Sequence, residues 1–166
     1  MQTIPLAERV RPKNLDQYIG QSHLIGKNAP LRNLIENNTL SSILLWGPPG
    51  VGKTTLAKII GETLNLPFVQ LSAISAGVAE VRKIIADSKL MGKTILFLDE
   101  IHRFNKSQQD ALLGAVESGK ILLIGATTEN PSFEVNNALL SRCQVYVLQE
   151  LTKGELLSMA THAIEC

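Results

Sequence analysis

Short apolar runs alternate with amphipathic stretches along this chain. Ser42-Ile43-Leu44-Leu45-Trp46, Phe68-Val69-Gln70-Leu71, Thr94-Ile95-Leu96-Phe97-Leu98, Ile121-Leu122-Leu123-Ile124 and Gln144-Val145-Tyr146-Val147 read as strands. Between them, residues 53–64 carry Leu56, Ile59 and Ile60 at helical spacing, and residues 78–89 carry Val78, Val81, Ile84 and Ile85. Residues 106–117 and 135–141 also read as helices, the second a short one. Upstream, residues 30–37 read as a helix with Pro30 in its first turn and Leu31, Leu34 and Ile35 on one face. Residues 4–20 read as a Pro-punctuated arm with a short helix. A further helix starts near Thr152 with Leu156, Leu157 and Met159. Strands that are apolar at successive positions must be covered on both faces, so the pattern predicts an α/β fold around a parallel sheet.

A length of 166 residues suits one domain, and a hydrophobic fraction of 45% suffices for a core. The net charge is +1, and aromatic residues make up 4% of the chain. Neither a strongly basic nucleic-acid binder nor a base-stacking platform is indicated by these bulk values. Cys143 and Cys166 are the two cysteines, which is no disulfide framework and fits a reducing cytosol. The opening Met1-Gln2-Thr3-Ile4-Pro5 lacks the charge and apolar run of a signal peptide, and no stretch approaches a membrane span. These features predict a cytoplasmic protein that does not enter a membrane.

The loop after the first strand changes the picture. Gly47-Pro48-Pro49-Gly50-Val51-Gly52-Lys53-Thr54 fits G-x-x-x-x-G-K-[ST] between a strand and a helix, the context that gives this motif its meaning. Gly50 and Gly52 allow positive φ and close approach of the backbone to phosphate oxygens. Backbone N–H groups at the helix start offer positive potential to the anion. Lys53 adds a full charge reaching the β- and γ-phosphates, and the Thr54 hydroxyl is placed to ligate Mg²⁺. Pro48, Pro49, Val51 and Thr55 complete the stretch assigned to nucleotide binding.

Thr94–Leu98 runs into Asp99 and Glu100. In isolation two acids at a strand end are best read as a solvated terminus. Downstream of a phosphate-binding loop they acquire chemical roles. Asp99 holds Mg²⁺ through water, and Glu100 polarises the water that attacks the γ-phosphate. His102 reads as a positional residue, since no second metal ligand stands at useful spacing.

Gly47–Thr54 together with Asp99-Glu100 resembles the Walker A and B motifs of AAA+ ATPases. The likeness extends further. Leu6–Pro12, Tyr18–Gln21, Asp99–Asp110, Gly125–Phe133 and Ala138–Cys143 resemble the replication-associated recombination protein A family, with its bacterial MgsA members and its eukaryotic relative, Werner-helicase-interacting protein. That resemblance implies a P-loop NTPase fold with a five-stranded parallel sheet in the order 5-1-4-3-2 and helices on both faces. It implies an ATPase core over residues 1–150 and the start of a truncated helical lid over 151–166, so that the chain is a fragment and by itself a weak ATPase. It also implies that Thr128 acts as sensor 1, touching the γ-phosphate or the attacking water. Ser141-Arg142-Cys143 matches the clamp-loader motif whose arginine reaches a neighbouring subunit's ATP, so Arg142 is an arginine finger in trans. Arg11-Pro12 and Ile19-Gly20 resemble the segment that packs on adenine in this clade.

The function implied is Mg²⁺-dependent ATP hydrolysis by a DNA-dependent ATPase acting at stalled replication forks. Its implied partners are ATP and ADP, DNA, a single-strand-binding protein and further copies of the chain, and in a bacterium it is associated with the nucleoid. The alternatives are a clamp-loader subunit, a RuvB-like branch-migration motor and a nucleotide-gated binding module with little turnover. Against the motor, only Ser118-Gly119-Lys120 separates the 106–117 helix from the next strand, too few residues for the long β-hairpin of that pattern. Against the module stands Glu100, which a pure switch does not need.

Overall fold

The computed structural model describes residues 4–75 and 77–165. The readings that concern Met1–Thr3 and Cys166 lie outside the described residues. Five strands form one sheet: β1 (Ile43–Trp46), β2 (Phe68–Ser72), β3 (Thr94–Asp99), β4 (Ile121–Thr127) and β5 (Gln144–Val147). All neighbours are parallel, in the order β2-β3-β4-β1-β5, which is the 5-1-4-3-2 order expected.

Period-two alternation sorts the central strands onto two cores. Ile43, Leu45, Ile95, Phe97, Leu122 and Ile124 face one side, where α3 (Pro30–Glu36) and α4 (Lys53–Leu64) cover them. Leu44, Leu96, Leu98, Ile121 and Leu123 face the other, covered by α5 (Val78–Met91) and α6 (Lys106–Ser118). Every residue of β4 is buried because it is the central strand, paired with β3 and β1. The edge strand β5 is largely exposed. On the α4 side, the Phe68 and Phe97 rings stack with centroids 6.2 Å apart. A Cβ on Gly61 of α4 would come within 2.9 Å of the Phe68 ring, so glycine permits that close packing.

Helix ends follow local chemistry. α4 ends at Asn65 and α6 at Gly119, both in the left-handed conformation that satisfies last-turn carbonyls. Asn105 starts α6 with a reciprocal capping box: its Oδ1 accepts from the Gln108 amide, and Gln108 Oε1 accepts from the Asn105 amide. α5 runs to Met91, two residues past the expected 89, because the chain stays helical until Gly92 even though Leu90 and Met91 face solvent.

Four short pieces complete the chain: α1 (Leu6–Arg9), α2 (Ser22–Ile25), α7 (Pro131–Glu134) and α8 (Asn137–Leu140). The sequence pattern shows α1 and α8 but not α2 or α7. Helices of four residues lack the length to form by propensity and depend on tertiary anchors. Gln109 is such an anchor. Its buried amide donates to the Phe104 and Glu134 carbonyls and accepts from the Asn136 amide, joining α6 to α7 and α8. Last comes α9 (Lys153–Glu165), none of whose residues is buried.

Replacing Gln109 by Leu leaves three backbone groups without this partner. It is expected to lower unfolding stability by about 2–4 kcal/mol, read as a lower urea midpoint with unchanged slope.

Candidate functional site

The loops that follow β1, β3 and β4 meet at one edge of the sheet around a pocket of about 460 Å³. The loop after β1 is tied to the neighbouring strand by its first amide, since Gly47 N–H donates to the Thr127 carbonyl at 3.1 Å. Gly50 and Gly52 take φ values of 79° and 94°, the left-handed geometry that glycine adopts without steric cost. Between them Val51 is buried in the core, which fixes the loop from below. Lys53 opens α4, and its Nζ donates to the Gly47 carbonyl at 2.5 Å and the Pro48 carbonyl at 3.1 Å.

Asp99 ends β3, in register with Ser72 and Ala126. Glu100 follows in the left-handed region at φ 55°, unusual for a residue with a Cβ and costing about 1–2 kcal/mol. Its carbonyl accepts from the Arg103 amide at 2.8 Å, closing a 3₁₀ turn over Ile101–Arg103. Asp99, Glu100, Lys53 and Thr54 all line the pocket. Burial lowers the Lys53 pKa, and the negative fields of Asp99 and Glu100 oppose that shift without cancelling it. The ammonium is therefore under-compensated, and an added anion of high charge density would complete it.

A triphosphate with Mg²⁺ fits this donor set. Left-handed glycines, a helix start and an under-compensated lysine suit phosphate. One hydroxyl and one carboxylate, Thr54 and Asp99, suit an ion that keeps several waters and takes its remaining ligands from phosphates. No cluster of three His, Cys, Asp or Glu side chains suited to a metal occurs among the described residues.

The structure sorts the other expected site residues. Pro49, Gly50, Val51, Gly52, Thr55, Pro12, Ile19 and Thr128 line the pocket with those above. Gly47 and Pro48 are not part of the lining, and their carbonyls accept from Lys53. Arg11 and Gly20 are not part of the lining. A Cβ on Gly20 would come within 2.5 Å of Leu151, so that glycine serves the packing of the arm against the chain entering α9. Arg142 stands apart on the surface, its guanidinium bonded to Glu117 at 2.6 Å and to the Ser141 hydroxyl at 2.8 Å.

Val10, Tyr18, Leu151, Met159 and His162 also line the pocket, and no sequence signal marked them for that role. They come from the two ends of the chain. Gln21 joins those ends: its amide donates to the Gln149 carbonyl at 2.7 Å and accepts from the Gln149 amide at 2.8 Å. His23 Nε2 adds a contact of 2.9 Å to the Val147 carbonyl. The Tyr18 hydroxyl shares its proton between the Val51 and Gly52 carbonyls at 3.3 and 3.2 Å. Burial raises the Tyr18 pKa far above the usual phenol range, so the hydroxyl remains a donor.

Lys53→Met removes a cation whose burial disfavours the folded state at every pH below its lowered pKa. The same change removes the donor to the Gly47 and Pro48 carbonyls, so the two effects oppose each other and the nucleotide-free variant should melt close to the parent. The rise in Tm that ATP produces in the parent should disappear, as read by thermal melts across ATP concentrations.

Comparison with known proteins agrees with this geometry. A family model described as "ATPase family associated with various cellular activities (AAA)" matches residues 43–151. Replication-associated recombination protein A of Haemophilus influenzae is 53% identical over 97% of this chain and 37% of its own length. The protein of the same name from Coxiella burnetii is 55% identical, with the same shares covered. The chain thus spans about 37% of the length of these curated relatives. Among solved structures, the Thermotoga maritima RuvB Holliday junction branch migration motor aligns with a TM-score of 0.78 and 32% identity, over 94% of this chain and 54% of that one. The motif resemblance therefore extends over nearly the whole sequence, and this chain belongs to the ATPase family associated with various cellular activities.

Proposed function

We propose that this chain is the ATP-hydrolysing core of a DNA-dependent ATPase of replication and recombination. The observation that carries this reading is the convergence of Lys53, Thr54, Asp99, Glu100 and Thr128 on one pocket. The similarity to replication-associated recombination protein A supplies the DNA context.

The reaction is ATP + H₂O → ADP + Pi. The glycine loop and Lys53 hold the β- and γ-phosphates, and Thr54 and Asp99 would hold Mg²⁺, whose charge would screen the phosphates. Glu100 accepts a hydrogen bond from the attacking water and orients it, and Thr128 contacts the γ-phosphate or that water. Pro12, Ile19, Tyr18 and Met159 form the apolar end of the pocket, suited to the base. Arg142 acts on the ATP of a second copy. Its place outside its own pocket, with a half-exposed guanidinium, supports a role between subunits. The protein is proposed to work as a homo-oligomer in the cytoplasm, at the nucleoid in a bacterium, beside a single-strand-binding protein. No helix among the described residues is long and apolar enough to cross a membrane.

The likeness to RuvB structures makes a branch-migration motor the second reading. Only Gly119 and Lys120 connect α6 to β4, which leaves no room for a β-hairpin there and favours the first.

In the full-length protein, single-stranded DNA ends are expected to raise steady-state ATPase activity. Arg142→Ala is expected to abolish the stimulated rate, lowering kcat by about a thousandfold. A rate indifferent to both DNA and Arg142 would overturn the replication-fork reading in favour of a nucleotide-gated binding module.

A further inference from the structure

Thr127 is the last residue of β4 and is 1% exposed. Its hydroxyl has three partners. It donates to the Glu129 carbonyl at 3.1 Å, accepts from the Glu129 amide at 2.9 Å, and lies 2.9 Å from His102 Nδ1. A hydroxyl owns one proton. When that proton goes to the Glu129 carbonyl, the imidazole is the donor through Nδ1–H.

The placement of these partners gives the contact its meaning. Both bonds to Glu129 bridge Thr128, the exposed pocket-lining residue between them. One side chain thereby sets the backbone that presents Thr128 to the pocket. His102 belongs to the 3₁₀ turn whose leading residue is Glu100, held at positive φ. That turn is rigid at its base, because Ile101 is fully buried and the Glu100 carbonyl is bonded to Arg103. The Thr127 hydroxyl therefore adds a side-chain link, beyond the end of the β3–β4 ladder, between the segment bearing Glu100 and the one bearing Thr128.

We infer that His102 and Thr127 are positioning residues for hydrolysis, setting the distance between Glu100 and Thr128 across the γ-phosphate position. The inference rests on the catalytic reading of those two residues. His102 is not part of the pocket lining; Thr127 is, but its hydroxyl is turned to its three partners. Both act through the residues they hold. Nucleotide binding depends on the glycine loop and Lys53, which the pair does not touch by side chain. Loss of the link should therefore appear in kcat and leave affinity alone.

The test is steady-state ATPase kinetics of the full-length protein with DNA, together with Kd for a fluorescent ATP analogue and Tm. Thr127→Val keeps the side-chain shape without the hydroxyl, and His102→Phe keeps a ring without the donor. Each should lower kcat by about tenfold or more, with Kd and Tm close to the parent. Thr127→Ser restores the hydroxyl, and His102→Asn places an N–H donor where Nδ1 stood. Both should recover kcat to within about threefold of the parent. Glu100→Gln is the reference variant. If Glu100→Gln is inactive while Thr127→Val and His102→Phe turn over at the parent rate, the inference is overturned. It is equally overturned if kcat, Kd and Tm fall together without rescue by Ser or Asn, because the link is then only structural. Full activity of Glu100→Gln would overturn the catalytic reading beneath it.

Discussion

Parallel strands deliver all their C-termini to one edge of a sheet, and here the pairing register turns that edge into a site. Trp46 lies opposite Thr127, and Asp99 lies opposite Ala126, so β1, β4 and β3 end almost level with one another. The next residues, Gly47, Thr128 and Glu100, therefore leave the sheet side by side. A slip of one residue in any of these strands would exchange its two faces and separate the three loops. Ile43 to Leu45, Ile95 to Leu98 and Ile121 to Ile124 are apolar on both faces, so the slip is opposed by the close packing of two differently shaped cores rather than by a polar–apolar alternation. The chemistry at the edge is thus held in line by packing along the strands.

The pocket is walled by parts that the sheet does not supply. The arm from Val10 to Ile19 and the chain from Leu151 to His162 form its apolar side. They are joined through Gln21, whose side chain mimics a strand partner for Gln149 by giving and taking one hydrogen bond. Tyr18 connects the same arm to the phosphate loop through the Val51 and Gly52 carbonyls. A Cβ on Gly52 would sit 2.7 Å from the Tyr18 hydroxyl, so this glycine answers both to φ and to the arm above it.

On the opposite side of the sheet, α6 gathers the other parts. Its capping box begins immediately after the turn bearing His102. Gln109 then holds the peptide groups of α7 and α8, and Asp110 accepts from Asn136 at 3.0 Å. In the last turn Glu117 meets Arg142. One helix therefore orders the chain between the acidic turn and the surface arginine. The exposed Glu117–Arg142 pair is worth only about 0–1 kcal/mol, little enough for the guanidinium to exchange it for a stronger anion.

The alternation of strands and helices, the phosphate loop and the acid pair were legible because each is local: contiguous residues whose spacing follows from backbone periodicity or from the contours of a phosphate. Thr128 and Arg142 were singled out only through motif resemblance, since a threonine at a strand end and an arginine on a surface carry no chemistry of their own. The tertiary structure alone decided the contributions of Tyr18, Leu151, Met159 and His162, which lie at opposite ends of the sequence and meet because Gln21 pairs with Gln149. It alone decided that Thr127 and His102, 25 positions apart, share one hydroxyl. Periodicity fixes which face a residue presents, whereas a hydrogen bond between distant side chains exists only once the sheet has set the distance between its strands.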